Sequence, residues 1–180
     1  LLADRVAGPM TPEQQEIVEI LDSSSRNLQK LIEQLLDYNR KQADSPVARE
    51  AVDLVDLVEN VVAAHSLPAR AKLMHTELTL QARRCLAEPA LLISVMDNLY
   101  SNAVHYGAES GNIRIHSYRH GEQVRIDVAN SGEPIPAAEK NMIFEPFDQG
   151  SHQRKGAVKG SGLGLSIARD CVRQMQGELS

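Results

Sequence analysis

The sequence contains no tryptophan, only two phenylalanines and four tyrosines in 180 residues, so its core must be built from Leu, Ile, Val and Ala rather than from large rings. Cysteine is as scarce. Cys85 and Cys171 lie far apart in apolar-patterned segments, without the close Cys or His neighbours that a disulfide framework or a zinc site requires, and both read as reduced thiols. Positive charge is in deficit: 19 Lys and Arg against 24 Asp and Glu give a formal net charge of -5, which gives no electrostatic reason to expect nucleic-acid binding, since that needs a basic face. No apolar run approaches the roughly 20 residues of a membrane span, and no signal peptide opens the chain. What remains, 42% hydrophobic and 24% charged residues, is a globular composition, long enough for one ordinary domain and a smaller appendage. The chain begins mid-pattern at Leu1 and closes on Gly177-Glu178-Leu179-Ser180, which reads as the start of another strand, so an excised piece of a longer protein is expected.

Periodicity divides the chain near residue 45. Ile17, Leu21, Ser24, Leu28, Leu31, Leu35 and Tyr38 alternate spacings of four and three, an a/d seam. Thr11-Pro12-Glu13-Gln14 opens that helix with an N-cap, a Pro at the first helical position and a capping-box partner. Gly8-Pro9 breaks the chain ahead of it, and Leu1 to Val6 reads as the tail of an earlier helix. Residues 1–45 are therefore expected to hold part of a helical hairpin, with its second helix over about 12–41; an ordinary amphipathic helix lying on its own domain is the plainer alternative. In residues 46–180, Glu50 to Asp53 predicts a short strand, and Asp53 caps a helix through Leu54, Leu57, Val58, Val61 and Val62. Thr76 to Leu80 and Cys85-Leu86 predict strands, and Pro89 opens a helix to Tyr106. Ile113 and Ile115, then Val124, Ile126 and Val128, alternate on two strands joined at His120-Gly121. Ser131 to Ser161 is long, polar and rich in Gly and Pro, a pattern more often functional than incidental. Leu165, Ala168, Val172 and Met175 return to helical spacing. The expected fold is α+β, a two-layer α/β sandwich with helices covering a mixed sheet, preceded by the long hairpin helix.

Three segments carry candidate chemistry. On the Pro89 helix, Asn98, Asn102 and His105/Tyr106 share one face, because they fall at i, i+4 and i+7/i+8. Carboxamide oxygens there can ligate a hard cation such as Mg²⁺, although Asn on a helix is more often simply solvated. Val128-Ala129-Asn130-Ser131-Gly132 ends a strand with an Asn whose carbonyl can accept from a purine amino group; the plain reading is a loop start. Gly160-Ser161-Gly162-Leu163-Gly164-Leu165 runs directly into a helix, where free N–H groups and glycines suit a phosphate. A hinge is the bland alternative, and the absence of a preceding strand excludes the dinucleotide fingerprint.

In this order and spacing, the three segments, with Phe144-Glu145-Pro146-Phe147 between the last two, resemble the N, G1, F and G2 boxes of the catalytic domain of bacterial sensor histidine kinases. The resemblance extends from the hairpin helix to Gly177. It implies binding of ATP (or ADP) with Mg²⁺. Asn102 would hold the metal with Asn98 assisting, Tyr106 would pack near the nucleotide and Asn130 would select adenine. Gly132 and Ile135 would wall the base, Phe144 and Phe147 would anchor a lid that is mobile without nucleotide, and Gly160, Gly162, Leu163, Gly164 and Leu165 would line the phosphates. Arg154, Lys155 and Lys159 fall in the same stretch; lid cations are ordinarily just solvated. Asn130 stands where the family usually has Asp, Pro134 where a second glycine is common, and His105 where Lys or Arg is frequent. If His105 meets a phosphate, its contribution depends on pH near neutrality. None of the six histidines begins the family's phosphoacceptor box, so the acceptor is expected upstream of Leu1. The intact protein is expected to be a homodimer anchored in the bacterial inner membrane, with this module in the cytoplasm and a response-regulator receiver domain as partner. The rival readings are an ATPase of the same superfamily, whose Glu base is replaced here by Asn98, and a degenerate nucleotide-binding or dimerising module.

Overall fold

A computed structural model describes Thr11, Gln14, Ile17, Val18, Ser25 and residues 48–140, 142–146 and 162–180. The chain divides into two units, Leu1–Ser45 and Pro46–Ser180. In the first, the Gln14 amide donates to Thr11 Oγ1 at 3.3 Å and the Thr11 amide donates to Gln14 Oε1 at 3.0 Å. This reciprocal capping box satisfies two amides at the helix start, and Gln14, Ile17, Val18 and Ser25 are helical. The rest of the seam lies outside the described residues.

The second unit runs β1 (Glu50–Asp53), α1 (Leu54–Ala64), α2 (Ser66–Ala71), β2 (His75–Leu80), β3 (Arg84–Ala87), α3 (Pro89–Tyr106), β4 (Asn112–His120), β5 (Gln123–Asn130), a 3-10 turn (Met142–Phe144) and α4 (Gly164–Gln174). Strands β2, β4 and β5 form a mixed sheet in the order β2-β4-β5, parallel between β2 and β4 and antiparallel between β4 and β5, while β1 and β3 pair antiparallel in a separate ladder. The α+β expectation therefore holds, with the strands divided between two sheets. The β4–β5 turn is tight, with His120 opposite Gln123. Gly121 takes φ +62 there, a conformation open to glycine at little cost.

Caps fix where the helices start. The Asp53 carboxylate accepts from the Val55 and Asp56 amides. Glu88 does the same for Ala90 and Leu91, with Pro89 at the first helical position, where its missing N–H costs nothing. Apolar faces then decide the packing. Leu54, Leu57, Val58 and Val61 of α1 and Leu92, Met96, Tyr100, Ala103 and Val104 of α3 close over Ile113 and Ile115 of β4. Period two places Ser117 in the same buried row, and the 81–82 loop satisfies its polar atoms: Oγ donates to Ala82 O at 2.7 Å, while its carbonyl accepts from the Gln81 and Ala82 amides. Tyr100 is fully buried and its hydroxyl meets Thr76 Oγ1 at 2.7 Å, pinning α3 to β2.

A second cluster joins Leu91 and Val95 of α3 to Ala168 and Cys171 of α4, which fixes where α4 begins. Helix α4 ends in a Schellman arrangement: the Gly177 amide donates to Val172 O and the Gln176 amide to Arg173 O, with Gln176 at φ +59. Gly177–Ser180 form no strand, contrary to the sequence expectation: the Schellman turn directs the backbone at this point, and these residues join none of the described ladders.

Candidate functional site

The three motif segments converge around the C-terminal half of α3. Asn98 is buried, 6% exposed, and its Nδ2 donates to Ser94 O at 2.8 Å. Its Oδ1 faces Gly164: a Cβ built on that glycine would lie 2.9 Å away. The small residue at the first position of α4 thus lets the helix start settle against the Asn face. Gly162 takes φ +68 just ahead, and Ser166 Oγ donates to Leu163 O at 2.8 Å. Among the described residues no side chain caps the N-terminus of α4, and a helix start of this kind suits an anion. One turn along α3, Asn102 is half-buried and its carboxamide makes no hydrogen bond among the described residues.

The G1 segment closes on the end of α3. The Ser131 amide donates to Asn112 O, Ser131 O accepts from Ala108 N, and Ser131 Oγ accepts from Asn112 N. Gly132 is therefore pressed against the helix end, where an added Cβ would lie 2.7 Å from Tyr106 O and 2.8 Å from Asn130 Nδ2. Asn130 closes β5 opposite Ile113 and is exposed, as is Ile135. Tyr106 is 47% exposed, and its ring meets His105 edge-on at 4.7 Å between centroids. Burial, and then the charge of Lys72, hold the His105 imidazole below its ordinary pKa. Phe144 is half-buried beneath the Arg169 guanidinium. Phe147, Gly160, Arg154, Lys155 and Lys159 lie outside the described residues, as does the 147–161 part of the expected lid.

Several contributors carried no motif signal. Lys72 Nζ donates to Val104 O and His105 O, at 2.8 and 2.5 Å, placing a cation at the carbonyl end of α3 where the helix dipole favours it. Arg169 contacts both Phe144 and Glu145. Its i+5 position from Gly164 could have marked it as belonging to the second turn of α4, but not as facing the F box. A cleft lined by Asp53, Gln81, Ala82, Arg83, Arg84 and Arg119 opens at the other end of β4 and includes none of the motif residues. The nucleotide reading consequently rests on the converging side chains and amides rather than on that cleft.

The sequence model of the histidine kinase-, DNA gyrase B- and HSP90-like ATPases matches residues 87–180, which contain all four boxes. The chain belongs to this family. Within it, sensor histidine kinases are among the relatives. The chain is 76% identical over 179 residues to the sensor histidine kinase GlrK of Escherichia coli (strain K12), covering 99% of this chain and 38% of GlrK. It therefore spans less than two fifths of that relative's length. The full-length ShkA structure in complex with AMPPNP superposes with a TM-score of 0.74 at 26% identity, over 94% of this chain and 36% of ShkA. The histidine kinase ThkA, solved in complex with response regulator protein TrrA, superposes with a TM-score of 0.71 at 24% identity, over 96% of this chain and 48% of that one, a likeness of fold. The family gives the domain its ATP-binding character. Among the described residues, no helix is long and apolar enough to cross a membrane.

Proposed function

We propose that this domain binds Mg²⁺·ATP and, in the intact protein, presents the γ-phosphoryl to a histidine upstream of Leu1, from which it passes to an aspartate of a response-regulator receiver domain. The observation that carries the reading is the meeting, on either side of buried Asn98, of Asn102, which makes no hydrogen bond among the described residues, and the start of α4, which no described side chain caps. A carboxamide oxygen beside a helix start would suit a hard cation and a phosphate group. In this reading Asn102 is the metal ligand. Asn98, whose Nδ2 donates to Ser94 O while its Oδ1 faces Gly164, assists in holding the metal. When bound, Mg²⁺ supplies charge neutralisation to the triphosphate. The chain's residues position the rest: Asn130 accepts from the adenine amino group, Gly132 and Ile135 line the base, and Gly162, Leu163 and Gly164 bring amides to the phosphates. Tyr106 and His105 border the nucleotide, and Phe144 supports the segment beyond the base. Residues Phe147 and Gly160 complete the boxes in sequence.

Transfer rather than hydrolysis is supported by position 98. The superfamily's ATPases place a Glu base four residues before the metal-binding Asn. Here a buried carboxamide stands in that place and cannot take a proton from water. The ShkA complex with AMPPNP and the ThkA complex with TrrA supply the parallels for nucleotide and regulator. The same reading makes the intact protein a homodimer in the inner membrane with this module on the cytoplasmic side. The test is labelling with γ-³²P-ATP. A chain extended upstream to include the acceptor should form an acid-labile phosphohistidine, while residues 1–180 alone should bind ATP without labelling or appreciable turnover. Stable self-labelling of residues 1–180, or brisk ATPase activity, would contradict this reading.

A further inference from the structure

We infer that Arg169 is a positioning residue of the nucleotide site, tethering the F-box turn to α4 through Phe144 and Glu145; this rests on the nucleotide reading above. The 3-10 turn Met142–Phe144 buries no residue. A single turn with no fully buried side chain has few contacts of its own to hold it in one place. Helix α4, by contrast, is fixed: Ala168 and Cys171 pack into Leu91 and Val95 of α3, and its first turn is closed by the Ile167 amide and Ser166 Oγ, both bonded to Leu163 O.

Arg169 bridges the two. Its Cζ lies 5.4 Å from the centroid of the Phe144 ring, and its Nη2 donates to Glu145 Oε1 at 3.2 Å. The arginine side chain is 21% exposed against 62% for Glu145, and its Nε is buried without a hydrogen-bond partner among the described residues. The guanidinium is thus largely withdrawn from water, where a cation over an aromatic face gains most. The planar fork serves both contacts at once, stacking by its face and donating by its edge. Because Arg169 follows the phosphate-facing start of α4 by little more than one turn, the tether holds the F-box turn at a set distance from those amides. A lysine retains the charge but not the fork.

The test pairs a measurement without nucleotide with one that needs it. In Arg169→Ala, hydrogen exchange at the Met142, Ile143 and Glu145 amides, which bond to Glu139 O and Met142 O, should quicken by about tenfold, the scale of a cation–π contact with an edge ion pair, while α3 amides stay protected. Mg²⁺·ATP affinity should fall by a similar factor, and Arg169→Lys should recover part of both. Phe144→Leu combined with Glu145→Gln attacks the same contact from outside α4 and should reproduce the effect should Arg169→Ala disturb the helix. Unchanged exchange in both variants overturns the tether. Quickened exchange with unchanged ATP affinity overturns the positioning role. A parent chain that binds no Mg²⁺·ATP refutes the proposed function instead, and also the positioning role, with exchange then deciding only whether the tether exists.

Discussion

Replacing Gly132 by alanine probes how tightly the G1 segment is seated on α3. The added Cβ would lie 2.7 Å from Tyr106 O and 2.8 Å from Asn130 Nδ2, the first about 0.8 Å inside the roughly 3.5 Å at which nonbonded atoms rest. The nearer obstacle is backbone. Tyr106 ends a helix anchored by buried Ala103 and Val104 and held at its carbonyl end by Lys72, and the loop side is held by the three Ser131 hydrogen bonds. Neither side gives way easily. Overpacking against a fixed wall costs about 1–3 kcal/mol. For a unit spanning residues 46–180, about 2 kcal/mol corresponds to a fall in melting temperature of roughly 6–12 °C. Displacement of the loop that carries Asn130 should also weaken ATP binding by about tenfold or more, roughly 1.4 kcal/mol. The control is Gly121→Ala, where an added Cβ meets nothing within 4 Å but φ is +62. It should lose about 1 kcal/mol through backbone strain and leave affinity unchanged. Calorimetric melting and ATP titration of the two variants separate the effects. A Gly132→Ala protein that melts and binds like the parent would refute the claimed contact between the G1 loop and α3.

Three further outcomes follow from the same structure. Asn130→Leu should weaken ATP binding by about 1–3 kcal/mol through loss of the acceptor, while Asn130→Asp should retain or strengthen it; equal binding by the Leu variant in a titration would place base recognition elsewhere. Gln176→Gly should raise stability by about 0.5–1 kcal/mol, because φ +59 strains a side-chain-bearing residue more than the added chain entropy of glycine costs, which chemical denaturation will read as a higher midpoint; an unchanged or lower midpoint would count against it. His105 has a folded pKa below its unfolded value, so the unfolded state binds more protons between the two, and this group's contribution to stability is lost as pH falls from about 6.5 towards the folded value. His105→Gln should flatten that part of a stability–pH profile, and an unaltered profile would show that another group carries it.

Much of this architecture was legible because local signals and tertiary packing agree. Asp53 and Glu88-Pro89 announce helix starts that the hydrogen bonds then display, and alternation at Ile113 and Ile115 marks the buried row of β4. Where the sequence misleads, the cause is non-local. Ser117 occupies a core position that its polarity disguises, because its partners lie on the 81–82 loop. Gly177–Ser180 has strand-like composition, but the helix end decides its path. The site divides the same way. Asn98 and Asn102 share a helical face by spacing alone, yet spacing does not show that Asn98 is bonded to Ser94 and faces Gly164 while Asn102 makes no hydrogen bond among the described residues. Lys72 and Arg169 reach the site from 33 and 24 residues away along the chain, at His105 and Glu145, so no motif window includes them.

The central claim is that Asn102 brings Mg²⁺ to a nucleotide held against α3 and α4, and calorimetric titration of residues 1–180 with ATP, in the presence of Mg²⁺ and then of EDTA, tests it most directly. The account predicts binding that depends on Mg²⁺ in the parent and loses that dependence in Asn102→Ala. Equal affinity with and without metal in the parent, or full metal dependence retained by Asn102→Ala, would contradict it.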